Sequence, residues 1–412
     1  MQYATHYEEG KKVSFKKFDL NLAGLLFLPD GFDADAKYPA VVVTHPGGGV
    51  KEQCSSLYAW HLARAGYVAL AFDASHQGES EGLPRCLEDP FSRVEDIRSA
   101  VDYLVTLPYV DAERIGAMGV CAGGGYTMSA IQTDVRIKAA AGISTWDVGD
   151  SARNGFPGVE IENFMQKLLQ EVARARTAAA RGEEAPCWKY VPDGLDEIDE
   201  HTSVIQREAY EYYRTPRCSY PTSVNRYLVS SNDKLAAFDA FAYLDTVSPR
   251  PLLFIVGSRA DTLYFTEDAY RRAREPKKIH VVEGASAIQV VLSDGTVRQA
   301  GICHPGGGSP ERVLRQGAVG IALSRVAGGL LAGLSPPAAR GRRRTDRVLP
   351  SCVLSAGWPE FRAAERTHPG FCAARESLQR EKRRSARPLY TRGRAFRHTG
   401  EPVSGFYRKS SR

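Results

Sequence analysis

Short apolar runs alternate with helix-like segments through the first 286 residues, and this alternation constrains the fold more than any other feature. Helical spacing marks "SSLYAWHLARAG" and "EDIRSAVDYLVTL", and "KKVSFKKFDLNLAGLLFLP" predicts an opening hairpin. The remaining runs are typical of buried parallel strands: "YPAVVVTH" (38–45), "YVALAFD" (67–73), "RIGAMGV" (114–120), "IKAAAGIS" (137–144), "PLLFIVGS" (251–258) and "KIHVVEG" (278–284). The sequence therefore predicts an α/β fold, with a mostly parallel sheet and helices on both faces.

One segment, at about residues 150–235, interrupts the alternation. It contains the helix-like stretches "NFMQKLLQEVARARTAAARGEE" and "IDEHTSVIQREAYEYY", with no strand pattern between them. We predict a helical cap inserted over the ligand-binding edge of the sheet. A helix pair with only a packing role is the alternative.

The chain changes character after Ser286. Residues 287–412 carry 23 Lys and Arg against 8 Asp and Glu, and 21 of the 23 are Arg, whereas the preceding residues carry 31 against 40. Gly, Pro and Arg dominate, without strand or helix periodicity, which is typical of a chain that buries no core. We therefore predict a hydrolase-sized domain at 1–286 and a disordered or frameshift-derived basic tail at 287–412. A genuine extension that binds nucleic acid or membrane is the alternative.

The segment "MGVCAGGGY" (118–126) predicts a nucleophile turn. Gly119 and Gly123 flank Cys121 between a strand and a helix, where the G-x-S-x-G pattern of esterases displays its serine. We expect the following helix N-terminus to lower the pKa of the Cys121 thiol. A glycine-rich turn around an inert cysteine is the alternative. Neither a dinucleotide nor a P-loop pattern fits here.

Two further strand ends complete the candidate site. "VVVTHPGGG" (41–49) resembles an oxyanion loop, which predicts Gly47, Gly48 and Ala122 as backbone donors. His45 is interpreted as fixing the loop rather than as a base. Asp261, after "PLLFIVGSRA", is the candidate acid, and a loop-capping aspartate is the alternative.

Together, "THPGGG", "FDASHQGES", "LEDPFSRVEDIRSAVDYL", "MGVCAGGGY" and "GSRADTLYFTEDAY" resemble the fungal α/β-hydrolases of the polyketide-transferase family. That family includes the fumagillin-pathway type and abhydrolases of host-selective-toxin clusters, and dienelactone hydrolases are more distant relatives. The resemblance spans about residues 10–286. It implies an α/β-hydrolase fold, Cys121 as nucleophile, Asp261 as acid, and acyl transfer or hydrolysis on a polyketide or other thioester- or ester-linked acyl group.

The resemblance also implies a histidine that this chain lacks. In the family "HVVEGAS" continues with His, whereas this chain has Ala287. Translation out of frame, or through an unspliced intron, is the simplest account of the change after Ser286. His76, His280 and His304 are poor substitutes by their positions, so we expect an impaired enzyme.

The remaining predictions concern partners and location. The substrate is an acyl-carrier-bound or small-molecule acyl compound, and a dienelactone hydrolase-like esterase or a non-catalytic binding remnant are the alternatives. We expect no cofactor, metal, nucleic acid or membrane span. Eight scattered cysteines without a C-x-x-C pair suit a reducing compartment. No apolar stretch follows the N-terminus, and the chain ends in "YRKSSR" without the peroxisomal signal of some relatives, so we predict the cytoplasm.

Overall fold

The computed structural model describes residues 5–155, 162–200 and 202–291. Its strands are β1 (Lys11–Lys17), β2 (Leu20–Phe27), β3 (Tyr38–Thr44), β4 (Val68–Phe72), β5 (Val110–Val120), β6 (Ile137–Ile143), β7 (Cys187–Trp188), β8 (Tyr227–Leu228), β9 (Leu252–Gly257) and β10 (Lys277–Val282). Eight of the strands in this part of the chain form one sheet in the order β1-β2-β4-β3-β5-β6-β9-β10. The pairs β1–β2 and β2–β4 are antiparallel, and the other neighbours are parallel.

Helices cover both faces of this sheet. They are α1 (Ser56–Arg64), α2 (Pro90–Thr106), α3 (Ala122–Thr133), α4 (Val148–Asn154), α5 (Phe164–Ala180), α6 (Val204–Arg214), α7 (Asn232–Ala237), α8 (Leu263–Arg272) and α9 (Ala287–Val291). Side chains alternate between faces along a strand. In β3, Val42 belongs to the core cluster of Ile97 from α2, whereas Val41 and Val43 join Tyr58 from α1. The predicted α/β architecture is confirmed.

The helix α2 begins five residues earlier than the apolar spacing predicts. Asp89 caps it, since its Oδ1 accepts hydrogen bonds from the backbone N–H groups of Phe91 (3.0 Å) and Ser92 (3.3 Å). Pro90 occupies the first turn, where its missing N–H costs nothing. The Asp-Pro pair was therefore the start signal.

The segment between β6 and β9 forms the cap. It contains four of the helices and the short β7–β8 pair, whose two-residue strands are too short to show an alternating pattern. Its residues bond to the segment that follows β3. Tyr212 Oη accepts from the Cys54 N–H (2.9 Å), and Ser223 Oγ donates to the Gly48 carbonyl (2.8 Å). The cap thus covers the carboxyl end of β3, as predicted.

The described chain continues slightly past Ser286. Residues 287–291, which the sequence analysis assigns to the tail, form α9, and Ala287, Val290 and Val291 are buried. The Tyr58 hydroxyl donates to the Val290 carbonyl (3.1 Å). The rest of the predicted tail, residues 292–412, lies outside the described residues.

No helix in the described ranges is both long enough and apolar enough to cross a membrane.

Candidate active site

Cys121 lies on the turn between β5 and α3 with a strained backbone. Its φ is 56° and its ψ is −121°, a conformation that side-chain-bearing residues rarely adopt. The Cys121 N–H donates to the Ile143 carbonyl (2.9 Å), and the Cys121 carbonyl accepts from the Gly124 N–H (2.9 Å). Such strain costs on the order of 1–3 kcal/mol and persists where the surrounding structure enforces it. The turn therefore holds the thiol at the carboxyl end of a central strand.

The flanking glycines are required by close backbone contacts. A β-carbon on Gly119 would lie 2.0 Å from the Gly123 carbonyl oxygen. One on Gly123 would lie 2.5 Å from the His45 carbonyl oxygen. The turn can pack against the end of β3 only with glycine at both positions, as the sequence predicts.

The expectation of an acidified thiol is wrong. Burial raises the pKa of the Cys121 thiol to about 12. The hydrogen bond from the Ala122 N–H lowers the pKa but does not compensate, and nor does the nearby Arg93 guanidinium. A helix N-terminus favours a thiolate, but desolvation disfavours any charge, and here desolvation dominates.

The predicted oxyanion donors lie next to one another. A β-carbon on Gly47 would be 3.7 Å from Ala122 Cβ, so the loop runs alongside the residue that follows Cys121. Gly48 has a φ of 71°, which glycine adopts without strain. The Gly49 N–H donates to the Pro46 carbonyl (3.1 Å) and closes a tight turn. Gly47, Gly48 and Ala122 are thus brought together beside the thiol.

His45 fixes this loop, as predicted, and offers no proton acceptor. The imidazole is fully buried, with Nδ1 2.7 Å from the Pro46 carbonyl oxygen and Nε2 accepting from the Ala74 N–H (3.1 Å). Burial lowers the pKa of His45 well below its usual value, and the Arg93 charge lowers it further. Both ring nitrogens are therefore occupied in a neutral imidazole.

A buried polar cluster beside the turn was not predicted. Glu88 Oε1 accepts from the Tyr126 hydroxyl (2.6 Å), and Oε2 accepts from the Tyr190 hydroxyl (2.9 Å). Arg93 lies 3.8 Å from the same carboxylate and has its guanidinium carbon 4.9 Å from the Tyr126 ring centroid. These residues come from three separate segments, and no local sequence pattern connects them.

Asp261 follows β9, and Asp261 Oδ2 accepts from the Ile205 N–H (3.3 Å) of the cap helix α6. Ala287 lies close by, because it packs in one small cluster with Ala260 and Val256. The Ala287 carbonyl accepts from the Ser144 hydroxyl (3.2 Å). Position 287 therefore lies at the strand ends that carry the acid, but it holds a methyl group.

The other candidate histidines do not replace the missing base. His76 Nδ1 is 3.1 Å from the Pro84 carbonyl oxygen, and His280 lies within β10 opposite Ile255. Neither bonds to Cys121 in the described part of the chain. His304 lies outside the described residues.

The sheet, the strand-to-helix turn and the glycine loop define an α/β-hydrolase. The sequence model of the Dienelactone hydrolase family matches residues 22–145. The Escherichia coli (strain K12) protein YcjY is 38% identical over 70% of this chain and 95% of its own length. The crystal structure of PA2218 from Pseudomonas aeruginosa matches with a TM-score of 0.63 and 34% identity, over 69% of this chain and 88% of that one.

Fungal relatives carry the names polyketide transferase and thiohydrolase. One of them, polyketide transferase claH of Penicillium crustosum, is 26% identical over 69% of this chain and 91% of its own length. The chain belongs to this family of dienelactone hydrolase-like α/β-hydrolases, which includes the fungal polyketide transferases and thiohydrolases. At that level it is an enzyme of the hydrolase or acyltransferase type.

Proposed function

We propose that the chain transfers or hydrolyses a thioester- or ester-linked acyl group through Cys121. One observation carries the proposal: Cys121 has a positive φ on the strand-to-helix turn, with the Ala122 N–H bonded to its thiol. In the proposed site Cys121 is the nucleophile, and Gly47, Gly48 and Ala122 supply N–H donors to the oxyanion. Asp261 is the acid that would orient a histidine. The residues 1–286 form the proposed hydrolase domain, and 287–412 the proposed tail.

The reaction follows from these positions. The Cys121 sulfur bonds to the acyl carbon, the carbonyl oxygen gains negative charge beside the three N–H groups, and the C–S bond to the leaving group breaks. The proton of Cys121 leaves with the departing thiol. Oxyanion donors are worth on the order of 3–4 kcal/mol in such a transition state. Water or an acceptor alcohol then removes the acyl group.

The chain lacks a base at position 287, which makes the proposed reaction slow. A cysteine retains some nucleophilicity without a base. Loss of one member of a catalytic triad leaves about 10³–10⁴-fold catalysis over water in well-characterised enzymes. We therefore propose slow acylation of Cys121 with poor turnover.

The proposed substrate carries a polyketide-like acyl group, either free or bound to an acyl carrier. The names of the fungal relatives support this substrate class. A role in fungal toxin biosynthesis is a further prediction, and the relatives with higher identity are bacterial. The match to the Dienelactone hydrolase family favours a lactone or simple ester as a second candidate.

The test is mass spectrometry of the intact chain after incubation with acyl N-acetylcysteamine thioesters or with p-nitrophenyl esters. We expect one acyl adduct, located at Cys121 by peptide mapping and absent from Cys121→Ala. Faster labelling by thioesters supports the first substrate class, and faster labelling by esters supports the second. An adduct that persists in Cys121→Ala would exclude the proposed nucleophile.

A further inference from the structure

Arg93 lies in the first turn of α2 and is almost completely buried, with 2% of its surface exposed. Arg93 Nη2 donates to the His45 carbonyl oxygen (2.8 Å), and Nη1 lies 3.2 Å from His45 Nε2. A buried guanidinium is costly unless its hydrogen-bonding groups are held by partners. Here one side chain binds both the backbone and the ring of a single residue at the end of β3.

The same guanidinium contacts the nucleophile turn. Its carbon lies 4.9 Å from the ring centroid of Tyr126, which belongs to α3, the helix that starts directly after Cys121. Its Nε is 3.8 Å from Glu88 Oε1, whose carboxylate also accepts from the Tyr126 hydroxyl. Arg93 therefore connects the end of β3 to the helix that carries the thiol.

His45 transmits this contact to the oxyanion loop. The imidazole Nδ1 is bonded to the Pro46 carbonyl, which also accepts from the Gly49 N–H and so closes the turn around Gly47 and Gly48. The His45 carbonyl, held by Arg93, is the atom that a β-carbon on Gly123 would approach to 2.5 Å. A shift of His45 would thus change the spacing between the loop and the turn.

We propose that Arg93 is a positioning residue that holds the oxyanion loop at its distance from Cys121. The inference rests on the proposed acyl chemistry, because it assigns the loop a catalytic use. The geometry requires arginine rather than a positive charge alone. A planar fork reaches two acceptors and stacks on an aromatic ring, whereas an ammonium group does neither in this arrangement.

The experiment compares Arg93→Lys with the parent chain and with Arg98→Lys. Arg98 lies on the same helix but is one-third exposed and pairs with Glu95, so it serves as the matched control. Three quantities are measured: amide hydrogen exchange in the peptide that covers residues 45–50, Cys121 acylation by a thioester, and Cys121 alkylation by iodoacetamide. Alkylation is a displacement at carbon that needs no oxyanion donor.

For Arg93→Lys we expect exchange about ten-fold faster and acylation at least about ten-fold slower, with alkylation within about three-fold of the parent. Arg98→Lys leaves all three within about two-fold. Unchanged exchange, or equal losses in acylation and alkylation, would overturn the positioning role. If the parent forms no adduct at Cys121, the proposed function fails, and the exchange measurement alone decides the role of Arg93. Should Arg93→Lys not fold, Arg93→Gln, which keeps one donor for His45, is measured instead and is expected to show the same pattern.

Discussion

The ring of Tyr190 lies directly against the backbone of Gly48. A β-carbon built on Gly48 would stand 2.6 Å from Tyr190 Cδ2, and the Tyr190 hydroxyl donates to Glu88 Oε2 at 2.9 Å. A residue of the cap therefore covers the oxyanion loop. An acyl group that uses the Gly48 N–H must share this space with the tyrosine ring.

Tyr190→Ala should widen the acyl site and favour long acyl chains. We expect the ratio of octanoyl to acetyl transfer onto Cys121 to rise by about ten-fold, since one or a few methylenes in an apolar pocket are worth about 1–3 kcal/mol. The check is the single-turnover acylation rate with both thioesters. Tyr190→Phe, which keeps the ring and removes only the hydroxyl, is the control. An equal shift in the ratio for both variants would contradict a steric role.

The reactivity of Cys121 should rise with pH well beyond neutrality. Because burial raises the pKa of its thiol to about 12, the thiolate fraction increases by about ten-fold per pH unit below that value. Iodoacetamide labelling at Cys121, followed by peptide mass spectrometry from pH 6 to 10, should show no plateau. Cys187, which is exposed, serves as the internal control for an accessible thiol. A plateau for Cys121 below pH 9 would indicate an activated thiol.

Ala287→His should increase turnover. Ala287 packs with Ala260, which precedes Asp261, so an imidazole at this position has the proposed acid close by. We expect steady-state thioester hydrolysis to rise by at least about ten-fold, in the range of a general base. Ala287→Phe, similar in volume and without a proton acceptor, separates base catalysis from repacking. The gain should disappear when Asp261→Asn is added, and a gain that survives this change would exclude Asp261 as the acid.

Gly123→Ala should destabilise the fold far more than Gly31→Ala. The new methyl at 123 would meet two backbone oxygens, those of His45 at 2.5 Å and Thr44 at 2.6 Å, which have no room to move. We expect a loss of about 3 kcal/mol or failure to fold. Gly31 has a φ of 64° with open space around it, so its substitution costs only backbone strain, about 1–2 kcal/mol. Urea unfolding monitored by circular dichroism measures the difference, and equal losses would contradict the packing argument.

Local patterns predicted the scaffold and the nucleophile turn. Apolar runs identified the eight strands of the main sheet, and the glycines around Cys121 indicated a turn that the structure contains. These features depend on residues adjacent in sequence, where backbone sterics and strand burial leave a direct pattern.

The rest of the candidate site depends on contacts between distant segments. Tyr190 and Glu88 are 102 residues apart, and Arg93 reaches His45 across 48. The raised pKa of Cys121 has the same origin, because the desolvation comes from packed neighbours rather than from the turn itself. A sequence pattern around Cys121 reports the helix N-terminus but not this burial.

The buried imidazole of His45 makes the fold sensitive to acid. Its pKa in the folded chain is well below 6.5, the value expected when unfolding exposes it, so the unfolded chain binds one more proton as the pH falls below about 6.5. His45 should therefore reduce the free energy of unfolding by up to about 1.4 kcal/mol for each pH unit below that point, until the folded form also takes up its proton. Urea titrations at pH 7.5 and 5.5 should show this loss, and His45→Gln should show a shallower dependence. The residue that shapes the loop at neutral pH thus sets a lower limit to the acidity at which the protein stays folded.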